Sequence, residues 1–355
     1  MSIPTIWKRP HLSFPSTFDT IFFDVDGVLI KTKASFQATG IAITEYVIGV
    51  IHGLDWGQNE GKSLVTAGDV EAFKRAGGFN DDILMSYLLS SLFTARLREW
   101  SHTALAGRST QEWAQLARAA QLQGHGGREW VEAVIPASAR IDYHIISDLY
   151  HEVYWGAEEL KRRFGLEPRH FPYAEGLVHN EEMLFSSDFF ARLRAAGLVR
   201  MGMITGRFGQ EVDSALERMI AYSGECWWDV VVSSDLYKKP DPQALRFAIN
   251  AVGTEGGLYI GDTADDFDLV RNYKASQLAS EPDILMAMVA QEDEAVLYQQ
   301  RGADIIVSSV EDLLACLSIK RPSRDLSPRD GWEERNVAPS VLSPREEDWW
   351  LGLDR

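Results

Sequence analysis

The sequence predicts an α/β protein whose core is a parallel sheet with helices on both faces. A short apolar run at 20–23 lacks polar alternation, as expected of a strand that is buried on both faces. Similar runs alternate with helical patterns from Glu182 onward, whereas the interval at about 37–166 shows helical periodicity alone. Repeated strand and helix units favour a parallel sheet, because the crossover helices cover both of its faces.

Two carboxylates follow the first strand. Asp24 and Asp26 lie two residues apart, and Gly27 allows the chain to turn away. Their repulsion is unfavourable unless a cation or a shared proton offsets it. Ligands of open α/β sheets bind at the carboxyl ends of the strands, so the pair predicts a site. Taken alone, the pair fits an ordinary polar turn equally well.

Composition limits the classes of function. At 355 residues the chain is long enough for two domains, and 45% hydrophobic with 25% charged residues fits a soluble globular protein. A formal net charge of −17 argues against a nucleic-acid partner. Two cysteines predict no disulfide framework and a reducing compartment, so we expect the cytoplasm. We also expect no membrane partner, because no uninterrupted apolar run reaches about 18 residues and the first residues lack the order of a signal peptide.

The interval at about 37–166 predicts a helical insertion. A loop at 74–82 combines positive charge, two glycines and Asn80, which fits either a loop that reaches a substrate or a helix break followed by a cap. His144 and His151 lie on one predicted helix, and we interpret them as structural because the eight histidines show no metal-ligand spacing.

The second half of the chain returns to alternating strands and helices. Asp241 is a natural N-cap and Pro242 a natural first helical residue. From Lys320 onward the composition predicts a disordered or loosely docked tail. The predicted strands are 198–204, 228–234, 257–260 and 303–307, and the predicted helices are 186–196, 210–222, 242–252 and 282–301.

Residues suited to phosphate chemistry follow four of the predicted strands. Because the carboxyl ends of parallel strands lie at one edge of the sheet, we expect these residues to meet. If each strand simply ended in an ordinary polar turn, these four sets of residues would occur together only by coincidence. A site is therefore favoured over ordinary turns. The residues are Asp24 and Asp26 after the first strand, Thr205 and Gly206 after the second, Lys239 after the third, and Asp262 with Asp266 after the fourth.

In this order the residues resemble the motifs of the haloacid dehalogenase superfamily, in its phosphatase branch. The resemblance implies a Rossmann-like core over 16–33 and 182–319, an enlarged helical cap over 34–181 and a separate tail over 320–355. The insertion is longer than the compact helical cap expected after the first motif. The matching segments are Asp24-Val25-Asp26-Gly27-Val28, Thr205-Gly206, Lys239-Pro240 and Gly261-Asp262-Thr263-Ala264-Asp265-Asp266.

Phosphoryl transfer requires an in-line nucleophile, a proton donor for the leaving oxygen and neutralisation of the phosphoryl charge. Asp24 would be the nucleophile and would form an aspartyl-phosphate. Asp26 would protonate the leaving alcohol and then deprotonate the attacking water. Dehalogenases of the superfamily release halide and do not need the second carboxylate, so Asp26 favours a phosphate substrate.

Asp24 and Asp262 supply carboxylate oxygens that suit Mg²⁺. The resemblance implies a further metal contact from the backbone carbonyl of Asp26. It also implies that Asp266 orients the metal's waters, with Asp265 as the alternative in the register of the motif.

The remaining motif residues suit phosphate binding. Thr205 offers a hydroxyl group, and Gly206 offers an unobstructed N–H just before a helix. Lys239 would neutralise both the phosphate and the nucleophile. Lys238 is the competing choice, but the residue directly before Pro240 fits the pattern of the superfamily better.

The sequence therefore predicts a Mg²⁺-dependent phosphatase that acts on a small phosphorylated metabolite. Two alternatives stay open. One is a phosphomutase of the same superfamily, which passes the phosphoryl group to a sugar hydroxyl. The other is a catalytically silent binding or regulatory protein on the same scaffold. The sequence does not name the substrate, because specificity in this architecture lies in cap residues that carry no recognisable code. It also leaves the oligomeric state open.

Overall fold

The computed structural model describes residues 6–56, 63–79, 81–99, 110–124 and 127–317. These residues form two compact units. One unit contains the residues up to Lys31 and those from Glu182 onward, and the other is Thr32–Glu181. The predicted tail at 320–355 and Asn80 lie outside the described residues.

The first unit is built on a seven-stranded sheet with the order β1-β9-β8-β7-β2-β5-β6, beside a two-stranded pair of β3 and β4. Strand β2 lies between β5 and β7, and Phe23 pairs with Met203 on one side and with Ile260 on the other. The carboxyl ends of these three strands are therefore aligned. The strands are β1 Ile6–Lys8, β2 Thr20–Phe23, β3 Ile30–Lys31, β4 Glu182–Met183, β5 Arg200–Ile204, β6 Val230–Val232, β7 Gly256–Gly261, β8 Asp283–Val289 and β9 Ile305–Val307.

Helices account for the rest of the regular structure. One of them, α9, shows how the local sequence sets its ends: the Asp241 carboxylate accepts a hydrogen bond from the backbone N–H of Gln243 at 2.9 Å, and the helix ends at Gly253 with φ of 64°. The helices are α1 Ala38–Tyr46, α2 Ala67–Ala76, α3 Asp82–Glu99, α4 Thr110–Leu122, α5 Gly127–Val134 and α6 Tyr143–Phe164 in the second unit, and α7 Phe189–Ala195, α8 Gly209–Ser223, α9 Pro242–Val252, α10 Ala264–Ala275, α11 Glu292–Arg301 and α12 Leu313–Leu317 in the first.

The sheet buries an apolar core on each face. Successive side chains of β2 point to opposite faces. Phe23 makes edge contacts with Phe190 and Trp228, each with 5.8 Å between ring centroids, on one face. Phe22 belongs to the core on the other face, together with Tyr259. Strand β2 is thus central and covered on both sides, which confirms the predicted α/β fold class.

Strand β8 corrects the predicted helix at 282–301. Its five inner residues are buried between β7 and β9, and the helix in this region is only α11. Leu, Met and Ala are good helix formers, which is why the sequence pattern misled. Burial on both faces of the sheet overrides that propensity. The sequence analysis also predicts no helix at Ala264–Ala275, where the structure has α10 directly before β8.

Strand β1 is an element that the sequence analysis does not predict. It pairs antiparallel with β9 at the edge of the sheet, where Ile6 lies opposite Val307. The other pairs in this sheet are parallel, so the sheet is mostly parallel, as the predicted fold class requires, with one antiparallel strand at its edge.

The regular structure of the second unit, Thr32–Glu181, consists of helices alone among its described residues. Glu152 is 3% exposed, and its carboxylate accepts backbone hydrogen bonds from Arg169, His170 and Phe171 at 2.7, 2.7 and 2.8 Å. These donors satisfy a buried charge, because hydrogen bonding to the anion offsets its dehydration. They also fix the chain that follows α6.

One helical segment bears on the expectation of no membrane partner. Lys33–Ile51 has 19 residues and a mean hydropathy of 1.3, so it passes as a membrane-crossing helix by length and composition. Its polar residues interrupt the apolar runs, and a search for uninterrupted runs missed it. Ile43, Val47 and Ile48 are fully buried in the core of the second unit. Core helices pass the same test, so the segment is weak evidence for a membrane.

We predict that His151 makes the stability of the second unit depend on pH. Burial lowers its pKa from 6.5, although its hydrogen bond to the Ser147 carbonyl at 2.7 Å opposes this effect. Below pH 6.5 the unfolded chain therefore binds a proton that the folded chain does not, so stability present above pH 6.5 is lost as the pH falls. His151→Gln should remove a slope of at most about 1.4 kcal/mol per pH unit in urea unfolding.

The control is His144→Gln, because His144 lies on the same helix but is exposed. It should leave the pH slope of the parent protein unchanged. Equal slopes for the parent protein and His151→Gln between pH 7.5 and 5.5 would contradict the prediction.

Candidate active site

Asp24 continues directly from the central strand of the sheet. Its backbone N–H donates to the carbonyl of Ile260 at 2.9 Å, so it stays in line with β7. The residue is 3% exposed. Burial raises the pKa of its carboxyl group to about 8, and the nearby charge of Asp266 adds to the rise. The protein alone therefore does not fully stabilise the anionic form of Asp24.

The Lys239 ammonium lies between two carboxylates. Its Nζ is 2.7 Å from Asp24 Oδ1 and 2.7 Å from Asp266 Oδ1. Burial alone would lower the pKa of Lys239, but the charges of Asp24 and Asp266 raise it above its ordinary value, so the amine stays protonated. Lys238, the alternative considered from the sequence, is exposed.

Asp266 is held by donors on both of its carboxylate oxygens. Oδ1 accepts from Lys239 and from the Tyr259 hydroxyl at 2.5 Å, and Oδ2 accepts from the Thr263 hydroxyl at 2.6 Å and the Thr263 N–H at 3.0 Å. Burial would raise the pKa of Asp266, but Lys239 and these hydrogen bonds lower it. Asp265, the alternative in the register, is only partly buried.

Asp262 completes a group of three carboxylates. One oxygen each of Asp24, Asp262 and Asp266 lies within 4.8 Å of the others. Asp262 Oδ1 is buried and has no hydrogen-bond partner among the residues that the structure describes. Burial, followed by the charges of Asp24 and Asp266, raises the pKa of Asp262 well above its ordinary value. Three carboxylates around one ammonium thus leave an excess of negative charge.

Asp26 contacts a different cation. Its Oδ1 accepts from Arg207 Nε at 2.9 Å and from Arg207 Nη2 at 2.7 Å. Its charge contributes to the raised pKa values of both Asp24 and Asp262. Sequence reasoning missed Arg207, although it directly follows Thr205-Gly206, and it also missed Tyr259, which lies inside a strand with no motif to mark it.

Thr205 and Gly206 follow β5, directly beyond the pairing of this strand with β2. The backbone N–H of Thr205 donates to the Val232 carbonyl at 2.9 Å, and its hydroxyl accepts from the backbone N–H of Arg207 at 3.2 Å. Gly206 is exposed, and a Cβ added there would meet no atom within 4 Å. The segment therefore leaves open space at the edge of the sheet, before α8.

Gly27 brings two of the loops into close approach. Its φ is +77°, and a Cβ at this position would lie 2.0 Å from Asp262 Oδ2. Only glycine fits both the backbone conformation and the space. The first loop can therefore pass beside the Asp262 carboxylate only because residue 27 has no side chain.

A parallel α/β sheet with buried carboxylates at its carboxyl edge defines a Rossmann-like enzyme with an acidic site. The profile of one family, described as haloacid dehalogenase-like hydrolase, matches residues 18–270 of the chain. The protein belongs to this family. No curated protein sequence matches the chain significantly.

Solved structures are similar to the chain over most of its length. Phosphatase Tt82 from Thermococcus thioreducens is 26% identical with a TM-score of 0.54, over 80% of this chain and 99% of that one. A structural genomics target is 16% identical with a TM-score of 0.54, over 84% and 98% of the two chains. CbbY from Rhodobacter sphaeroides, in complex with phosphate, is 16% identical with a TM-score of 0.42, over 83% and 96%.

The family match confirms the recognition made from the sequence, a haloacid dehalogenase-like hydrolase, and with it the prediction that the protein is an enzyme. The acidic group gives the enzyme a place that could hold a metal ion.

We predict that Gly27→Ala displaces the Asp262 carboxylate, because the new Cβ would lie inside van der Waals contact of Oδ2. The positive φ adds strain, so we expect unfolding stability to fall by about 1–3 kcal/mol. A crystal structure and urea unfolding of the variant would measure the two effects.

Gly253→Ala is the matched control. Gly253 has φ of +64°, and a Cβ there would meet nothing within 4 Å. This variant should lose stability through strain alone and keep Asp262 in place. An unmoved Asp262 carboxylate in Gly27→Ala would contradict the prediction.

Proposed function

We propose that the protein is a Mg²⁺-dependent phosphatase that hydrolyses a small phosphomonoester through an aspartyl-phosphate on Asp24. One observation carries the proposal: the carboxylates of Asp24, which is buried, and of Asp262, which is partly buried with Oδ1 fully covered, lie together with Asp266 at one sheet edge, and their negative charge exceeds the positive charge that Lys239 supplies. The phosphatase similar to this chain supports the same class of reaction.

The residues at this edge fit Mg²⁺. Asp262 Oδ1 is buried without a hydrogen-bond partner in the described part of the chain, and carboxylate oxygens are the ligands that Mg²⁺ prefers. Asp24, Asp262 and the backbone carbonyl of Asp26 would hold the ion, and Asp266 would orient its waters. When bound, the ion would neutralise charge on the phosphoryl oxygens and on the carboxylates.

Asp24 attacks the phosphorus atom with one carboxylate oxygen, and the bond from phosphorus to the leaving oxygen breaks. Asp26 gives its proton to that oxygen, so the alcohol leaves neutral. Asp26 then takes a proton from a water molecule that attacks the same phosphorus atom. Inorganic phosphate is released and Asp24 is restored as a carboxylate.

The other residues position the reacting groups. Lys239 contacts Asp24 directly, which fixes the nucleophile and supplies positive charge where the phosphoryl group arrives. The Thr205 hydroxyl and the Gly206 N–H, just before α8, would bind phosphoryl oxygens.

The helical unit is proposed to be the cap that sets substrate choice, over 34–181, with the core over 16–33 and 182–319. The substrate is proposed to be a small phosphorylated metabolite in the cytoplasm. A net charge of −17 is consistent with a phosphate site that depends on a local cation.

We predict that Asp24→Asn lowers Mg²⁺-dependent hydrolysis of p-nitrophenyl phosphate by at least about a thousandfold, because the amide cannot act as the nucleophile. Phosphate release with and without EDTA would measure this. The control Asp19→Asn removes a carboxylate at the opposite end of the same strand, where it pairs with Arg200. It should retain turnover.

Full activity in Asp24→Asn would refute the assignment. A requirement for a bisphosphate activator would indicate a phosphomutase. Absence of turnover across a panel of phosphorylated metabolites, with folded protein and Mg²⁺, would indicate a silent binding protein.

Lys239→Met should lower kcat by roughly 10²–10³, by analogy with other preorganised charges. The control is Lys238→Met, which removes the exposed neighbouring ammonium and should change kcat little. Steady-state kinetics on p-nitrophenyl phosphate would test both variants, and similar losses in the two would contradict the role given to Lys239.

A further inference from the structure

Arg207 is a buried cation that the proposed mechanism does not use. It is 2% exposed, although arginine is among the residue types that are rarely buried. Its guanidinium group directs two N–H donors, Nε and Nη2, to Asp26 Oδ1 at 2.9 and 2.7 Å. A buried guanidinium requires a fixed anionic partner, and Asp26, the proposed proton donor, is a partner of that kind.

The two hydrogen bonds restrict the Asp26 carboxyl group. Both end on Oδ1, and neither involves Oδ2, which leaves Oδ2 for the transfer of a proton. The Asp26 side chain is 30% exposed, so its contact with Arg207 is buried on one side and open on the other. A carboxylate held by two donors on one oxygen has little rotational freedom.

Arg207 is itself anchored to the segment that would bind phosphate. Its backbone N–H donates to the Thr205 hydroxyl at 3.2 Å, and Nη1 donates to the Glu211 carbonyl at 3.4 Å in α8. Arg207 thus links two residues of the proposed site: its guanidinium group contacts Asp26, and its backbone N–H contacts Thr205.

We propose that Arg207 is a positioning residue that holds Asp26 at a fixed place relative to the phosphate-binding segment, so that Oδ2 faces the leaving oxygen. This inference rests on the proposed function, because it requires Asp26 to transfer a proton. Arg207 should therefore affect the rate only for substrates whose leaving group needs that proton.

A second ion pair provides a control within the same two strands. Arg200 begins β5 and pairs with Asp19, which precedes β2, at the ends of the strands opposite to Arg207 and Asp26. Arg200→Met therefore breaks an arginine–aspartate pair between the same strands without touching the proposed site. A purely structural role for Arg207 would make the two variants behave alike.

The experiment compares two substrates in the full-length protein with Mg²⁺. An alkyl phosphate has a poor leaving group that needs a proton, whereas p-nitrophenyl phosphate has a good leaving group that does not. The readout is kcat/KM, because it covers the steps up to the first phosphoryl transfer. The variants are Arg207→Met, Arg207→Lys, Asp26→Asn, the double variant of Arg207→Met with Asp26→Asn, and Arg200→Met.

We expect Arg207→Met to lower kcat/KM for the alkyl phosphate by roughly 10²-fold and for p-nitrophenyl phosphate by less than about tenfold. Asp26→Asn should show the same selectivity, and the double variant should lose little more than Asp26→Asn alone. Arg207→Lys should recover part of the loss. Arg200→Met should lower the melting temperature without changing the ratio between the substrates.

Equal losses on the two substrates, additive losses in the double variant, or a ratio unchanged from the parent protein would overturn the inference. If Arg207→Met does not fold, the inference is tested with Arg207→Lys, by the same ratio of kcat/KM for the alkyl phosphate to kcat/KM for p-nitrophenyl phosphate. The proposed function fails separately, and takes the inference with it, if Asp24→Asn keeps full turnover. If Asp24→Asn abolishes turnover and the ratio does not move, only the inference fails.

Discussion

The site depends on the Lys239 ammonium, which lies 2.7 Å from both Asp24 and Asp266. Burying a cation and two carboxylates is unfavourable unless hydrogen bonds replace the lost water. Asp266 meets this condition through Tyr259 and Thr263, which donate to its two oxygens. Lys239 therefore holds the Asp24 carboxylate against Asp266, which is itself fixed by its other hydrogen bonds. The position of the Asp24 carboxylate thus follows from the packing of strand and loop.

The register of the sheet places these groups at one edge. Phe23, the last residue of β2, pairs with both Met203 and Ile260, each one residue before the end of its strand, so the ends of β2, β5 and β7 lie within one residue of each other. The loops then approach so closely that residue 27 has room for glycine alone, with the Asp262 carboxylate occupying the space of a side chain. Backbone geometry, and not side-chain flexibility, thus determines where the charge collects.

The sequence predicts those features that follow from local residue patterns and from the rule that the carboxyl ends of parallel strands share one edge of the sheet. Asp24, Lys239, Asp262 and Asp266 could be grouped because each follows a strand. Strand β8 could not be recognised, since its Leu, Met and Ala residues favour a helix and only burial between two strands reverses that preference. Arg207 could not be assigned to Asp26, because a contact between residues 181 positions apart has no signature in either local pattern.

The carboxylates of this edge differ in what surrounds them, although their side chains are identical. Asp266 has a lowered pKa because its donors stabilise the anion, whereas Asp24 and Asp262 have raised pKa values because burial and mutual repulsion exceed the help from Lys239. Asp26 has a guanidinium of its own. Among the described residues Lys239 pairs with Asp24 and Asp266, and Arg207 pairs with Asp26, whereas no ion pair is formed by Asp262. A divalent cation beside Asp262 and Asp24 would therefore reduce the electrostatic energy of this group of carboxylates.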